Sequence, residues 1–426
     1  MLTIHTTLNN TLLYPIQNPY NMEDILFFDI ETTGLSAKTS FIYLVGCIYF
    51  ENDTWQMIQW FADELNHEEA ILHEFFQKIK HYKRLVHYNG SGFDIPFIQN
   101  KCKQYNIDIP FDLIDSFDIY KKLLPYKSLL PVQNLKLKTV ESFLGIVRED
   151  TYSGADLIQV YANYLGSSRY EKLHKSILPE GADNQSPLPY SKSIPSSKDL
   201  LRILLLHNAE DLKGLLSISS ILYYIDLFDN NLYKHIFQSI TNTAGSQKIW
   251  NTEIISDTDS EICFLELLVT IPFKVPISAH WENTLSVSIN GICNNMSIQL
   301  IASANNVTLK IPVFKGELKY FFNNYKDYYY LPKEDMAIHK SVAQFVDKEY
   351  RIQAKANTCY NKKTGIFIPA FGKLSKNVFK AKYQDHISFI ELDISELKES
   401  AELYECFMDY INFLCHSKET KLKLTH

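Results

Sequence analysis

The sequence predicts a mixed α/β domain, a sheet with helices on its faces, followed by a smaller β-rich α+β domain. Three observations carry this. Three apolar runs joined by short turns follow residue 24, helical and strand-like segments then alternate to about 228, and from about 250 strand-like runs dominate.

Residues 1–22 are polar with Asn-rich stretches and read as an irregular lead-in. Ile25 to Leu35 opens with apolar residues and ends at Thr-Thr-Gly, which marks a short buried strand and its turn. Phe41–Phe50 and Thr54–Phe61 continue as an antiparallel meander. Ala70, Leu72, Phe75, Phe76 and Ile79 give helical periodicity over 67–82, with acids early and bases late as the helix dipole favours. Arg84–Tyr88 is a strand, Phe93–Tyr105 a helix and Leu113–Ile119 a strand. Helical pieces over 120–166 are broken at Pro125, Pro131, Gly145 and Gly154. A Ser- and Pro-rich surface insertion at about 180–198 precedes a long helix from Lys198 to about Phe228. At least four strands are expected over 250–322, with a hairpin turn at Asn290-Gly291, and a helix over 395–416. The domains are therefore placed at 23–240 and 241–426.

A chain of 426 residues accommodates two or three domains. Its formal charge of −7 excludes a global positive field, so any nucleic-acid binding must rest on a local patch or on metals. Seven scattered cysteines, with no CxxC pair, argue against structural zinc and for a reducing compartment. The N-terminus shows no basic-then-apolar leader, and no run reaches 18 apolar residues. A cytoplasmic location without a membrane partner is expected.

Asp29 and Glu31 are one residue apart on the first strand, so their side chains leave the same face. Two like charges that close repel each other, and a divalent cation would remove the repulsion by taking both as oxygen ligands. A solvent-facing strand end is the plainer alternative. Asp94 follows a Gly-rich strand-to-helix turn, where it could also serve the helix dipole alone. Asp118 sits within an apolar strand and reads as a supporting residue. His207 and Asp211 are i and i+4 on the long helix, one turn apart on one face, a spacing that also suits a local surface ion pair.

Together these segments resemble the DEDD (DnaQ-like) 3′–5′ exonuclease superfamily of ribonuclease H-like proteins. Phe28-Asp-Ile-Glu-Thr-Thr-Gly-Leu35 is similar to its first motif. Tyr88-Asn-Gly-Ser-Gly-Phe-Asp-Ile-Pro-Phe97 is similar to the second as it occurs in family B polymerase proofreading domains and YprB-like proteins. Phe61-Ala-Asp-Glu, Glu68-Glu-Ala-Ile-Leu, and Leu135 to Arg148 with Tyr152-Ser-Gly154 resemble the YprB-like family specifically. The resemblance covers about 24–225 and departs at one point. In that superfamily a catalytic His stands five positions before the last Asp, or a Tyr four before, whereas here a His stands four before.

The resemblance implies a ribonuclease H-like mixed sheet and a metal-dependent nuclease acting on single-stranded DNA or RNA, a 3′–5′ exonuclease using two divalent cations, Mg²⁺ or Mn²⁺. It implies that Asp29 bridges the two ions, that Glu31 and Asp211 hold the ion carrying the attacking water, and that Asp94 serves the second. His207 is then placed to take a proton from that water, with an orienting role as the alternative. Gly34 and Leu35 would approach the terminal nucleotide, and Asn89 and Phe93 its sugar or base. The competing reading is a nucleic-acid-binding or interaction protein that keeps the fold without turnover.

In the second half, residues 331–382 hold 11 Lys/Arg against 4 Asp/Glu, interleaved with Phe345, Tyr350, Tyr360, Phe367, Phe371 and Phe379. Basic residues spaced by aromatics suit single-stranded nucleic acid, unless the rings are core and the lysines a solvated face.

Overall fold

The computed structural model describes residues 1–108, 111–130, 132–177, 195–241, 250–256, 263–289, 292–371, 377–393 and 400–424. The chain divides into two compact units, one formed by Met1–Lys127 with Val132–Leu222, the other by Ser128–Pro131 with Tyr223–His426.

The first unit is built on a six-stranded mixed sheet. Its strands are β1 (Leu2–Leu8), β2 (Ile25–Thr32), β3 (Ile42–Glu51), β4 (Thr54–Phe61), β5 (Arg84–His87) and β6 (Asp115–Asp118), in the order β1-β4-β3-β2-β5-β6. The meander pairs antiparallel, whereas β2–β5 and β5–β6 are parallel. Helix α1 (Glu68–Ile79) links β4 to β5, and α2 (Asp94–Tyr105) links β5 to β6. After β6 come α3 (Ile119–Leu123), α4 (Leu137–Phe143), α5 (Gly154–Ile177) and α6 (Ser197–Ile218). β2 is central and covered on both faces, which is why Ile25 to Phe28 form an unbroken apolar run, each at most 1% exposed.

Two expectations are corrected here. Residues 1–22 are not wholly irregular, because Leu2–Leu8 pairs with β4 from Leu2↔Phe61 to Leu8↔Trp55. An edge strand packs on one side only, so Thr and His are tolerated among Leu2, Ile4 and Leu8. The long helix does not run unbroken to Phe228. It gives way after Ile218 to a 3₁₀ turn, Ser219–Ile221, and then to α7 (Leu222–Asp226). The Ser217, Ser219 and Ser220 hydroxyls there donate to the carbonyls of Lys213, Leu216 and Ser217, a local competitor for helical bonding. Nearly all of the expected insertion at 180–198 lies outside the described residues, as does the 290–291 turn.

The second unit is an antiparallel assembly: β7 (Trp250–Ser256), β8 (Cys263–Thr270), β9 (Ala279–Ile289), β10 (Ile292–Ser303) and the long β11 (Asn306–Phe321). The far half of β11 pairs with strands at Tyr360–Pro369 and Val378–Lys380, and Lys421–Leu424 adds to β9. Helix α8 (Asn230–Thr241) packs on a C-terminal helix, Ser400–His416, through the rings of Tyr233 and Phe407, whose centroids are 4.7 Å apart. The division falls at 222/223 rather than near 240 because Tyr224 and Phe228 already belong to this core. The Tyr224 hydroxyl donates to the Ile277 carbonyl, and both rings pack edge-on against Trp281. Of the six aromatic residues interleaved with lysines, Tyr360, Phe367 and Phe379 are buried, and Phe371 is stacked on Phe413. Phe345 and Tyr350 are the exposed pair.

Among the described residues, no helix is long and apolar enough to cross a membrane.

Candidate active site

Three elements deliver the acids to one place. Asp29 and Glu31 leave the same face of β2, Asp94 is the first residue of α2, and His207 and Asp211 lie one turn apart on α6. Helix α6 can lie against the sheet because Gly46 stands opposite Asp29 on β3. A Cβ at Gly46 would sit 2.1 Å from Asn208 Oδ1 and 2.5 Å from Leu212 Cδ1, so a side chain there would push the helix away.

Asn208 fastens this contact. Its Nδ2 donates to Asp29 Oδ2 at 2.8 Å, and its Oδ1 accepts from Gln59 Nε2 at 2.9 Å, a group that also donates to the Leu205 carbonyl. Asp94 is held through Oδ1, which accepts from the Ile30 amide at 3.3 Å, so α2 is tied to the strand between the two first-strand acids. The turn before it is fixed from below by Asp118, which accepts from the amides of Asn89 at 2.9 Å and Ser91 at 3.2 Å. His87 completes that turn. Its Nδ1 accepts from the Gly90 amide, leaving Nε2–H for Ser116 Oγ at 2.8 Å.

The cluster is electrostatically strained without a cation. Burial, with Asp211, Glu31 and Asp94 close by, pushes the Asp29 carboxyl well above the ordinary carboxylate range. Glu31 is raised in the same way, by burial first and then by Asp211, Asp94 and Asp150. Asp94 is raised to about 7, chiefly by burial, although the Ile30 amide works the other way. Among the described residues no lysine or arginine forms an ion pair with these three acids; Asp211 alone has one, from Arg148 Nη1 to its Oδ1.

One oxygen each of Glu31 and Asp211 and one ring nitrogen of His207 lie within 4.8 Å of one another, a set that could hold a metal ion. His207 Nε2 is 3.6 Å from Glu31 Oε1 and 3.7 Å from Asp211 Oδ2. The donors fit a divalent cation: hard oxygens in excess of their counter-charges, with one imidazole and no cysteine.

Of the residues expected to contact substrate, none contributes a group to this cluster. Gly34 and Leu35 lie in the turn after β2, and Leu35 is 88% exposed. Asn89 is exposed in the left-handed region at φ 59°, and Phe93 is half-buried against Phe97.

Four supporting residues were missed from sequence. Besides Asn208, the loop between α4 and α5 contributes Arg148 and Asp150. Asp150 Oδ2 lies 2.7 Å from His207 Nδ1 and 2.9 Å from Lys138 Nζ. Arg148 grips buried Glu141 in two bonds of 2.5 and 2.8 Å and reaches on to Asp211. Glu210, next to Asp211, accepts from the amides of Glu149 and Asp150, each at 2.9 Å, and so stitches the loop to α6. The charged run Arg148-Glu-Asp150 is plain in the sequence, but nothing in a loop shows which way such charges face.

Residues 26–178 match a family model described as RNase_H superfamily. This segment has the ribonuclease H-like fold. The match takes in Asp29, Glu31, Asp94 and Asp150 and stops before His207 and Asp211. No curated protein matches the chain. One similar solved structure is described as that of the family B DNA polymerase from the hyperthermophilic archaeon Pyrobaculum calidifontis. The likeness has 11% identity and a TM-score of 0.35, and it covers 66% of this chain and 38% of that one. The chain thus spans less than half of that polymerase's length.

Proposed function

We propose that the protein is a metal-dependent phosphodiesterase that removes nucleotides from the 3′ end of single-stranded DNA or RNA. The observation that carries this is the convergence of Asp29, Glu31, Asp94 and Asp211 from three elements, with no lysine or arginine among the described residues paired to the first three. Such a site is costly in a folded protein unless cations enter it.

Asp29, Glu31, Asp94 and Asp211 would hold two divalent cations, Mg²⁺ or Mn²⁺. When bound, these would activate a water and stabilise charge on the entering and leaving oxygens. The chain's own residues set the geometry. Asn208 fixes the rotamer of Asp29, the Ile30 amide that of Asp94, and Arg148 that of Asp211. Hydrolysis forms one P–O bond from water and breaks the bond to the 3′ oxygen of the preceding nucleotide, releasing a nucleoside 5′-monophosphate. Exposed Leu35 and Asn89 flank the acids in sequence and are the groups proposed to meet the strand's terminal nucleotide.

The test uses end-labelled single-stranded DNA and RNA with Mn²⁺. Wild type should release mononucleotides from the 3′ end, and Asp29→Asn should slow this on the order of 10³-fold or more. Equal rates in the two proteins, or none in either, would overturn the proposal.

A further inference from the structure

The spacing of His207 from Asp211 has a geometric consequence. Each residue turns an α-helix by about 100°, so a four-residue step leaves two side chains about 40° apart on one face, and a five-residue step about 140° apart. Imidazole and carboxylate on one face, one turn apart, is how a single helix offers two donors to one ion. His207 is 4% exposed, and its two nitrogens face different surroundings. Nδ1 meets Asp150 at 2.7 Å. Asp150 also receives Lys138 Nζ on Oδ2 and the Tyr152 amide on Oδ1, so both of its oxygens serve as acceptors. A carboxylate acceptor at Nδ1 favours the Nδ1–H tautomer, in which the Nε2 lone pair faces Glu31 and Asp211. Among the described residues Nε2 makes no hydrogen bond, its two carboxylate neighbours standing at 3.6 and 3.7 Å. Donors sharing one ion at about 2.1 Å each stand roughly 3–3.5 Å apart, close to this spacing. A buried imidazole that donates its far N–H to a carboxylate while its near nitrogen faces two acids has the arrangement of a metal-bound histidine.

We propose that His207 is a direct ligand of the cation held by Glu31 and Asp211, rather than a proton acceptor, with Asp150 as the residue that positions it. This rests on the metal-dependent reading above and deepens it. A mixed imidazole–carboxylate donor set also suits Mn²⁺ or another transition ion better than Mg²⁺, which prefers oxygen alone.

The experiment loads the full chain with Mn²⁺ alone and records electron-spin-echo spectra. Wild type should show ¹⁴N modulation from a directly bound imidazole. His207→Gln should lose the modulation and retain a weaker Mn²⁺ site on the acids. Asp150→Asn should weaken Mn²⁺ binding about 10- to 100-fold by calorimetry. Because that variant could unfold, ¹⁵N chemical shifts of the His207 ring in metal-free wild type provide a second reading, with the proton expected on Nδ1. Bound Mn²⁺ without ¹⁴N modulation, or a His207 ring with its proton on Nε2 and none on Nδ1, would overturn this inference and leave the nuclease proposal standing. Failure of wild type to bind Mn²⁺ at all would overturn both.

Discussion

Arg148 joins two carboxylates that would otherwise repel each other, Glu141 beneath and Asp211 at the edge of the site. Its guanidinium and the Glu141 carboxylate are both largely buried, so removing one partner leaves an unpaired charge away from water. Arg148→Met should therefore cost about 3–5 kcal/mol in urea unfolding of the metal-free protein. Adding Glu141→Gln to Arg148→Met should recover part of that loss by removing the stranded charge. A single substitution that unfolds at the wild-type urea concentration would show that the pair contributes little. At this scale the sequence was legible where backbone geometry dictates side-chain direction. Asp29 with Glu31 follows from strand alternation, and His207 with Asp211 from helical repeat. Asp150 and Arg148 could not be found that way, because a loop imposes no period. Asn208 was hidden for another reason: beside His207 on a helix it reads as an ordinary polar position, until the sheet beneath is known.

Helix α6 and strands β2 and β3 form the element that makes the site, and Gly46 sets how closely they approach. The signal for it was present, since a glycine inside an otherwise apolar strand marks a close backbone approach. Gly46→Ala should lower stability by about 1–3 kcal/mol through overpacking. It should also weaken Mn²⁺ binding by displacing Asn208 from Asp29. Thermal unfolding and a Mn²⁺ titration of the same sample separate the two effects, and a variant with unchanged melting and unchanged affinity would contradict the packing argument. Elsewhere the elements were legible wherever burial imposes a pattern, as in β2 to β5 and in α1 and α2. β1 escaped because an edge strand with one packed face keeps too few apolar residues to alternate visibly. The break after Ile218 escaped because serine hydroxyls that bond to backbone carbonyls do not interrupt the apolar period of the helix.

Across the whole molecule, the fold class was legible because a covered parallel–antiparallel sheet and an antiparallel β unit impose different apolar patterns. The balance of buried charge was not, since it depends on which acids end up beside each other. That balance makes stability depend on pH in a specific direction. Asp94 has its folded-state pKa raised from an ordinary 3.8 to about 7, so between those values the folded state binds more protons than the unfolded one. Its contribution to stability is present below about pH 4 and is lost as pH rises through 7. Burial and their acidic neighbours raise Asp29 and Glu31 too, so they act in the same direction. His87 acts oppositely. Burial lowers it to about 4, so its penalty is relieved as pH rises from 4 to 6.5. Comparing wild type with Asp94→Asn cancels the His87 contribution and leaves Asp94 together with the part of the Asp29 and Glu31 shifts that it causes. Between pH 5 and 8 the metal-free wild type should lose about 2–3 kcal/mol relative to Asp94→Asn, read from urea unfolding at each pH. Mn²⁺ should reverse the difference at pH 8, where it replaces the missing protons as counter-charge, and should do little at pH 5. Parallel pH profiles for the two proteins without metal would mean that Asp94 is already ionised in the fold, and that the cluster tolerates its charges without a cation.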